Sequence, residues 1–198
     1  AVAANGQYTS YHGGTKEGGL SAINTTLTGI NFILETDIGV KLELIDNNDE
    51  IIYTDSNTDP FEDTIDGNTN APLQATIDSA IGSANYDIGH LFSGTGGGGN
   101  AGAIGAVCND AYKGSAWSAS GQPRGNSFVN LVAHEMGHQI GANHTFSFRS
   151  EGTGVNVEPA SGSTIMGYAG TGSDDMAFYA DNYYHNVSIV QSLAYLKS

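Results

Sequence analysis

From residue 17 to residue 35 apolar side chains return at helical spacing. Leu20, Ile23, Leu27, Ile30 and Leu34 fall on one face and predict an amphipathic helix. Upstream of it, residues 2–11 read as a first strand. Val40 to Ile45 alternates apolar with polar, the mark of a strand with one solvated face, and Ile51-Ile52-Tyr53 reads as another short strand. Leu73, Ile77 and Ile81 predict a second helix over 71–81, and residues 86–92 read as a buried strand. The glycine-rich stretch 94–105 reads as a flexible turn into a short strand at 103–107. Asn126-Ser127 offers an N-cap to a helix over 128–140, and Gly141 can end that helix in the left-handed conformation. The chain is then loop-rich until a last helix over 187–196, which turns Val187, Val190, Leu193 and Ala194 inward. Strands and helices mix first, an irregular stretch follows and one helix closes the chain. This is an α+β order without internal repeats.

The 198 residues suffice for one domain with a real core. Six basic residues face 21 acidic ones, for a formal charge of −15. Such a surface repels phosphate backbones, so no nucleic-acid partner is expected. It can load an acidic loop with calcium. Asp55, Asn57, Asp59, Asp63 and Asp66 stand at offsets 1, 3, 5, 9 and 12, with the Phe61 carbonyl at 7. The series resembles a calcium-binding loop, but Pro60 replaces the expected glycine and Asp66 the expected glutamate. An isolated calcium loop and a solvated acidic loop both fit. No run approaches the ~18 consecutive apolar residues of a transmembrane helix, so no membrane span is expected. The chain starts at Ala1 without a basic-then-apolar leader and reads as the mature part of an exported precursor. Cys108, the single cysteine, cannot form an internal disulfide and reads as a small buried apolar residue. A monomer is expected.

The strongest chemical signal is His134-Glu135-Met136-Gly137-His138, inside the helix over 128–140. Positions i and i+4 share a face, so both imidazoles can reach one metal ion. Glu135 can reach a water on that metal without ligating it. The metal lowers the water's pKa, and the carboxylate takes its proton as the water attacks a carbonyl. Gly141 follows His138 by three residues and His144 follows it by six. A helix continued to 144 would not bring the third imidazole over the same ion, whereas a break at Gly141 lets the chain turn back. Three protein ligands leave a coordination position open, which marks a catalytic zinc site. The ordinary alternative, two surface histidines on an amphipathic helix, accounts for the short motif but not for its extension. Of the other histidines, His90 lies in an apolar strand and reads as a satisfied core residue.

The run from His134 to His144 resembles the signature of the metzincin clan of metalloproteases. Met166, in Ser163-Thr164-Ile165-Met166-Gly167-Tyr168, stands 22 residues after His144 and fits the clan's methionine turn. Within the clan the chain looks most like bacterial reprolysin-like (adamalysin-related) peptidases. The cues are Asn85-Tyr-Asp-Ile-Gly-His90, Val132-Ala-His-Glu-Met-Gly-His-Gln139, Ala142-Asn-His-Thr-Phe146 and Glu158-Pro-Ala-Ser-Gly-Ser-Thr-Ile-Met-Gly-Tyr168. The resemblance implies a metzincin-type α+β fold made of one catalytic domain, 1–198. Its N-terminal subdomain, 1–141, would hold a mostly parallel twisted sheet and two long helices, the second with the zinc motif. Its C-terminal subdomain, 142–198, would be irregular, and the active-site cleft would lie between the two.

The resemblance also implies roles. The chain would be a secreted zinc endopeptidase acting on polypeptides, with Glu135 as general base and a prodomain, since removed, that kept it latent before export. Met166 would form an apolar floor under the metal. Tyr168 would be a zinc ligand or a donor to the oxyanion, as in astacins and serralysins, or else a wall tyrosine. An extended substrate would pair with an edge strand around Gly102, Ala103, Ile104 and Gly105, and residues 168–172 would line the pocket after the scissile bond. Two departures stand out. Thr145 follows the third histidine where astacins carry Glu and many reprolysins Asp, and one cysteine cannot supply the disulfides of animal reprolysins. The competing class is a binding or adhesion module on the same fold, which usually loses the glutamate; Glu135 is present. A zinc hydrolase of non-peptide amides is a third reading.

Overall fold

The computed structural model describes residues 1–172 and 174–198. Residues 2–11 do not form one strand. Strand β1 is Val2–Ala4, and Asn5 then opens helix α1 (Gly6–Tyr11) by accepting from the Tyr8 amide at 2.9 Å. Helix α2 (Lys16–Asp37) is capped by Thr15 and buries Ile23, Leu27, Ile30, Ile33 and Leu34, close to the face expected.

The alternating segment at 40–45 is not a strand. Asn31 of α2 accepts from the Leu42 amide at 2.7 Å and donates to its carbonyl at 2.9 Å. A side chain thus occupies the backbone groups that a ladder would have used, and Leu42 and Leu44 still reach the core. Ile51 ends a 3-10 turn (Asn48–Ile51), while Ile52 makes a single parallel bridge to Ala4. Helix α3 (Asn70–Ile81) buries Leu73, Ile77 and Ile81.

Strands β2 (His90–Ser93), β3 (Gly97–Asn100) and β4 (Ala116–Ser120) complete the sheet, whose order among the described residues is β1-β2-β4-β3. β1 with β2 and β2 with β4 are parallel; β3 runs antiparallel to β4, with Gly97 opposite Ser120 and Asn100 opposite Trp117. Alternate residues serve opposite faces of the sheet. Val2, Ala4 and Phe92 share a core with α2 and with helix α4 (Gly125–Gln139), whereas Ala3, Leu91, Trp117 and Ala119 share one with α3. The glycine run is therefore the edge strand, and the strand expected at 103–107 is absent. There the Gly105 and Ala106 amides instead satisfy the last carbonyls of α4, those of His138 at 2.9 Å and Gln139 at 2.7 Å.

Helix α4 starts after Arg124, with no side-chain cap from Asn126 or Ser127. Gly141 has φ +99° and ends it as expected. Helix α5 (Asn186–Leu196) is capped by His185, but Val190 and Ala194 face solvent and Ser188 and Ser192 are buried. Cys108 is exposed rather than buried, on a backbone with φ +58°. Among the described residues no helix is long and apolar enough to cross a membrane.

Candidate metal centre

His134 and His138 ride successive turns of α4, and the break at Gly141 returns His144 to them. One ring nitrogen from each lies within 4.8 Å of the other two, the only such cluster of His, Cys, Asp or Glu among the described residues. His138 Nε2 and His144 Nε2 stand 3.0 Å apart. Each opposite nitrogen is held from behind. His134 Nδ1 donates to the Ile165 carbonyl at 2.6 Å, His138 Nδ1 to the Ala142 carbonyl at 2.7 Å, and His144 Nδ1 to Glu151 Oε2 at 2.9 Å. A carbonyl only accepts, so the proton sits on Nδ1 and the Nε2 lone pair points at the shared space. Two such lone pairs at 3.0 Å repel unless a cation lies between them. Burial holds all three imidazoles below the ordinary histidine value, His138 down to about 4, which keeps them neutral. Three neutral nitrogen donors with braced backs fit a zinc ion.

Glu135 lies beside this cluster, buried against β3. A Cβ on Gly99 would come within 2.6 Å of Glu135 Oε1, so the edge strand can approach the carboxylate only as glycine. Burial pushes the Glu135 carboxyl up to about 8, and a cation on the three imidazoles would draw it back toward the ionised form. Met166 is fully buried, its Sδ lying where a Cβ on Gly137 would meet it at 2.5 Å.

Glu158, to which the sequence assigned no role, organises the turn before Met166. Its Oε1 accepts from the Ser163 and Thr164 amides at 2.9 and 3.1 Å; its Oε2 accepts from the Thr164 hydroxyl at 2.6 Å and from the Thr145 hydroxyl. Burial would raise this carboxyl, but the four donors hold it below its ordinary value. The Thr145 amide also donates to the Met166 carbonyl at 3.1 Å. A buried carboxylate thus sits at Thr145 even though Thr145 is not itself acidic. Glu151, which holds His144, also had no sequence signal beyond its charge.

Tyr168 packs beside the ligands, its ring centroid 5.7 Å from that of His134, 4.7 Å from His144 and 4.6 Å from Phe146. Burial, and then the Glu135 charge, raise its phenol above the ordinary value, so the hydroxyl remains a neutral donor.

Other expected residues are not brought together. Asp55, Asp59 and Asp63 form no ligand cluster, and Asn57 folds back on Asp55, which accepts from its amide at 2.9 Å. Asp59 accepts from the Gly6 amide at 2.7 Å and Asp63 from Gln7 Nε2 at 3.1 Å. These carboxylates brace the start of α1 and their own loop. Gly102, Ala103, Ile104 and Gly105 lie outside the cleft and are not in a strand; Gly98 and Gly99 of β3 line it instead. Residues 168–172 do reach the cleft, through Tyr168, Ala169 and Thr171. His90 is a satisfied core histidine, bonded to Gln139 and Ser118.

The cleft encloses about 1130 Å³ and runs from β3 past His134 and Glu135 to Ile165 and Phe178. A mostly parallel sheet, a helix with His-Glu-x-x-His and a buried methionine turn define a metallopeptidase of the metzincin type. The family model for the M12B reprolysin-like metallo-peptidases matches residues 1–196, and the chain belongs to that family. A search of curated proteins finds no match.

Proposed function

We propose that the chain is a secreted zinc endopeptidase that cuts polypeptides in the cleft between residues 1–141 and 142–198, with Glu135 as the base. The carrying observation is the convergence of three braced imidazoles beside a buried carboxylate on a cleft walled by an edge strand. His134, His138 and His144 would hold the zinc, which when bound supplies a Lewis acid for the scissile carbonyl and the attacking water. The free edge of β3 offers backbone groups to an extended substrate, so peptide pairing is assigned to Gly97–Asn100. Glu135 Oε1, held against Gly99, takes the proton of the attacking water and passes it to the leaving amine. The Tyr168 phenol, a neutral donor at the same wall, hydrogen-bonds the developing oxyanion. Met166, buried against Gly137, would form the apolar floor beneath the metal. We read the protein as an exported monomer released from a prodomain.

The test is cleavage of casein or gelatin by zinc-loaded protein. Chelation and Glu135→Gln should each abolish it, while Glu135→Gln keeps its zinc. Full activity in Glu135→Gln removes the base from the mechanism. A zinc-loaded wild type that binds polypeptide but cuts none would instead be a binding module.

A further inference from the structure

We propose that Arg124 captures a carboxylate of the bound polypeptide and so makes this a peptidase selective for acidic substrates. The inference rests on the polypeptide reading above and adds a substrate class to it. Among the described residues Arg124 is the only Lys or Arg lining the cleft. Among the described residues no carboxylate pairs with it, nor with Lys16 or Lys197, which lie outside the cleft, whereas Lys41, Lys113 and Arg149 each have an acidic partner.

The guanidinium is also held in place. Its carbon lies 5.7 Å from the centroid of the Tyr11 ring, a face that attracts cations while leaving the planar N–H edge free. Next to it, His12 Nε2 donates to the Pro123 carbonyl at 3.1 Å and pins the turn that carries Arg124. Among the described residues Glu135 is the only acidic one that lines the cleft, so a guest carboxylate at Arg124 meets no other fixed negative charge from them on that wall.

The helix sets the register. Arg124 precedes the first residue of α4 and His134 lies ten positions beyond it, so at about 1.5 Å per helical residue their backbones stand about 15 Å apart along the helix. An extended peptide advances about 3.3 Å per residue, so the captured carboxylate stands about three to five residues from the scissile bond. The same chemistry is offered by an Asp or Glu side chain and by the C-terminal carboxylate of a short substrate.

The experiment uses zinc-loaded protein and a peptide panel with one scissile core. Asp or Asn is placed at each of five positions on either side, with free or amidated C-termini. Wild type should cut the Asp peptide about three- to tenfold better than its Asn partner at one register, the range of a partly exposed charge-assisted pair. The ratio should fall to about one in Arg124→Gln and invert in Arg124→Glu, which should prefer Lys at that register. Salt at 1 M should shrink it, at the short screening length of about 3 Å. An effect that follows the free C-terminus alone assigns the carboxylate to the chain end and still supports capture. An Asp preference that survives in Arg124→Gln, or no preference in wild type, overturns the proposal. Peptide binding to zinc-loaded Glu135→Gln measures the same ratio without turnover. Failure to cut therefore strikes the peptidase reading, and an Asp-to-Asn binding ratio of one strikes Arg124. Unchanged circular dichroism and melting temperature in Arg124→Gln exclude misfolding as the cause.

Discussion

Glu135 owes its position to the glycine it faces as much as to the helix that carries it. A Cβ on Gly99 would collide with Glu135 Cδ at 2.7 Å and Oε1 at 2.6 Å, and the backbone there does not need a left-handed conformation. Gly99→Ala is thus a nearly pure test of the space around the Glu135 carboxylate. Overpacking of this kind costs about 1–3 kcal/mol of stability, and a base displaced by about 1 Å loses about 100-fold in rate. The expected result is a kcat lower by about 100-fold with the zinc content unchanged, read by steady-state kinetics and metal analysis. A variant with wild-type kcat would show that Glu135 has room to relax. At this scale the three histidines were legible in the sequence because their spacing is local: i, i+4 on a helix, then a glycine break. Gly99, Glu158 and Glu151 were not, because each acts on a partner that only the fold brings near. The edge strand was misplaced for a related reason, since Gly97, Gly98 and Gly99 have no side chains to alternate.

Between elements, Glu158 does for the methionine turn what Gly99 does for Glu135. The turn supplies the Ile165 carbonyl that orients His134, and Glu158 fastens that turn to Thr145, directly after His144. Removing the carboxylate leaves the Ser163 and Thr164 amides and two hydroxyls without their acceptor. Glu158→Ala should cost about 3 kcal/mol in urea denaturation, in the range for breaking a buried charged network. It should also weaken zinc by about 10- to 100-fold in a competition titration against a chelator, as loss of a brace behind a ligand does. A stability loss with unchanged zinc affinity would reduce Glu158 to a fold residue. The helices were readable because a 3.6-residue period survives in each of α2, α3 and α4. Residues 40–45 show the limit of pattern reading: Val40, Leu42 and Leu44 do pack inward, but Asn31 takes the backbone groups of Leu42. The first strand stopped early because Asn5, a turn-forming cap, outweighed the apolar residues after it.

Across the whole molecule, one buried network ties the zinc helix to the sheet. His90 of β2 pairs through Nδ1 with Gln139 Oε1 and through Nε2 with Ser118 Oγ of β4, both at 3.0 Å, and Gln139 Nε2 donates to the Gly89 carbonyl at 3.1 Å. Burial lowers the His90 pKa to about 4 against the Gln139 hydrogen bond, which raises it, and the Ala1 amino group adds to the lowering. The unfolded chain titrates at the ordinary 6.5, and the sign follows from which state binds the proton. Above about pH 6.5 both states hold a neutral imidazole and stability is at its plateau. Between 6.5 and about 4 the unfolded chain takes up a proton that the native one refuses, so stability falls as pH falls. Below about 4 the native histidine protonates too and the loss levels off. The shift amounts to about 3 kcal/mol. The 21 acidic residues and the three ligand histidines also titrate in acid, so the wild-type curve alone does not isolate this group. His90→Gln does, because it removes one titration and leaves the others. With urea denaturation at matched metal content from pH 8 to pH 4, the stability gap between wild type and His90→Gln should shrink by about 3 kcal/mol, almost all of it below pH 6.5. A gap that stays constant would mean that His90 binds its proton equally well in the folded and unfolded chains, and a gap that widens as pH falls from 8 to 6.5 would mean that His90 is protonated in the folded protein. The zinc helix would then be anchored to the sheet by a charge rather than by a neutral imidazole.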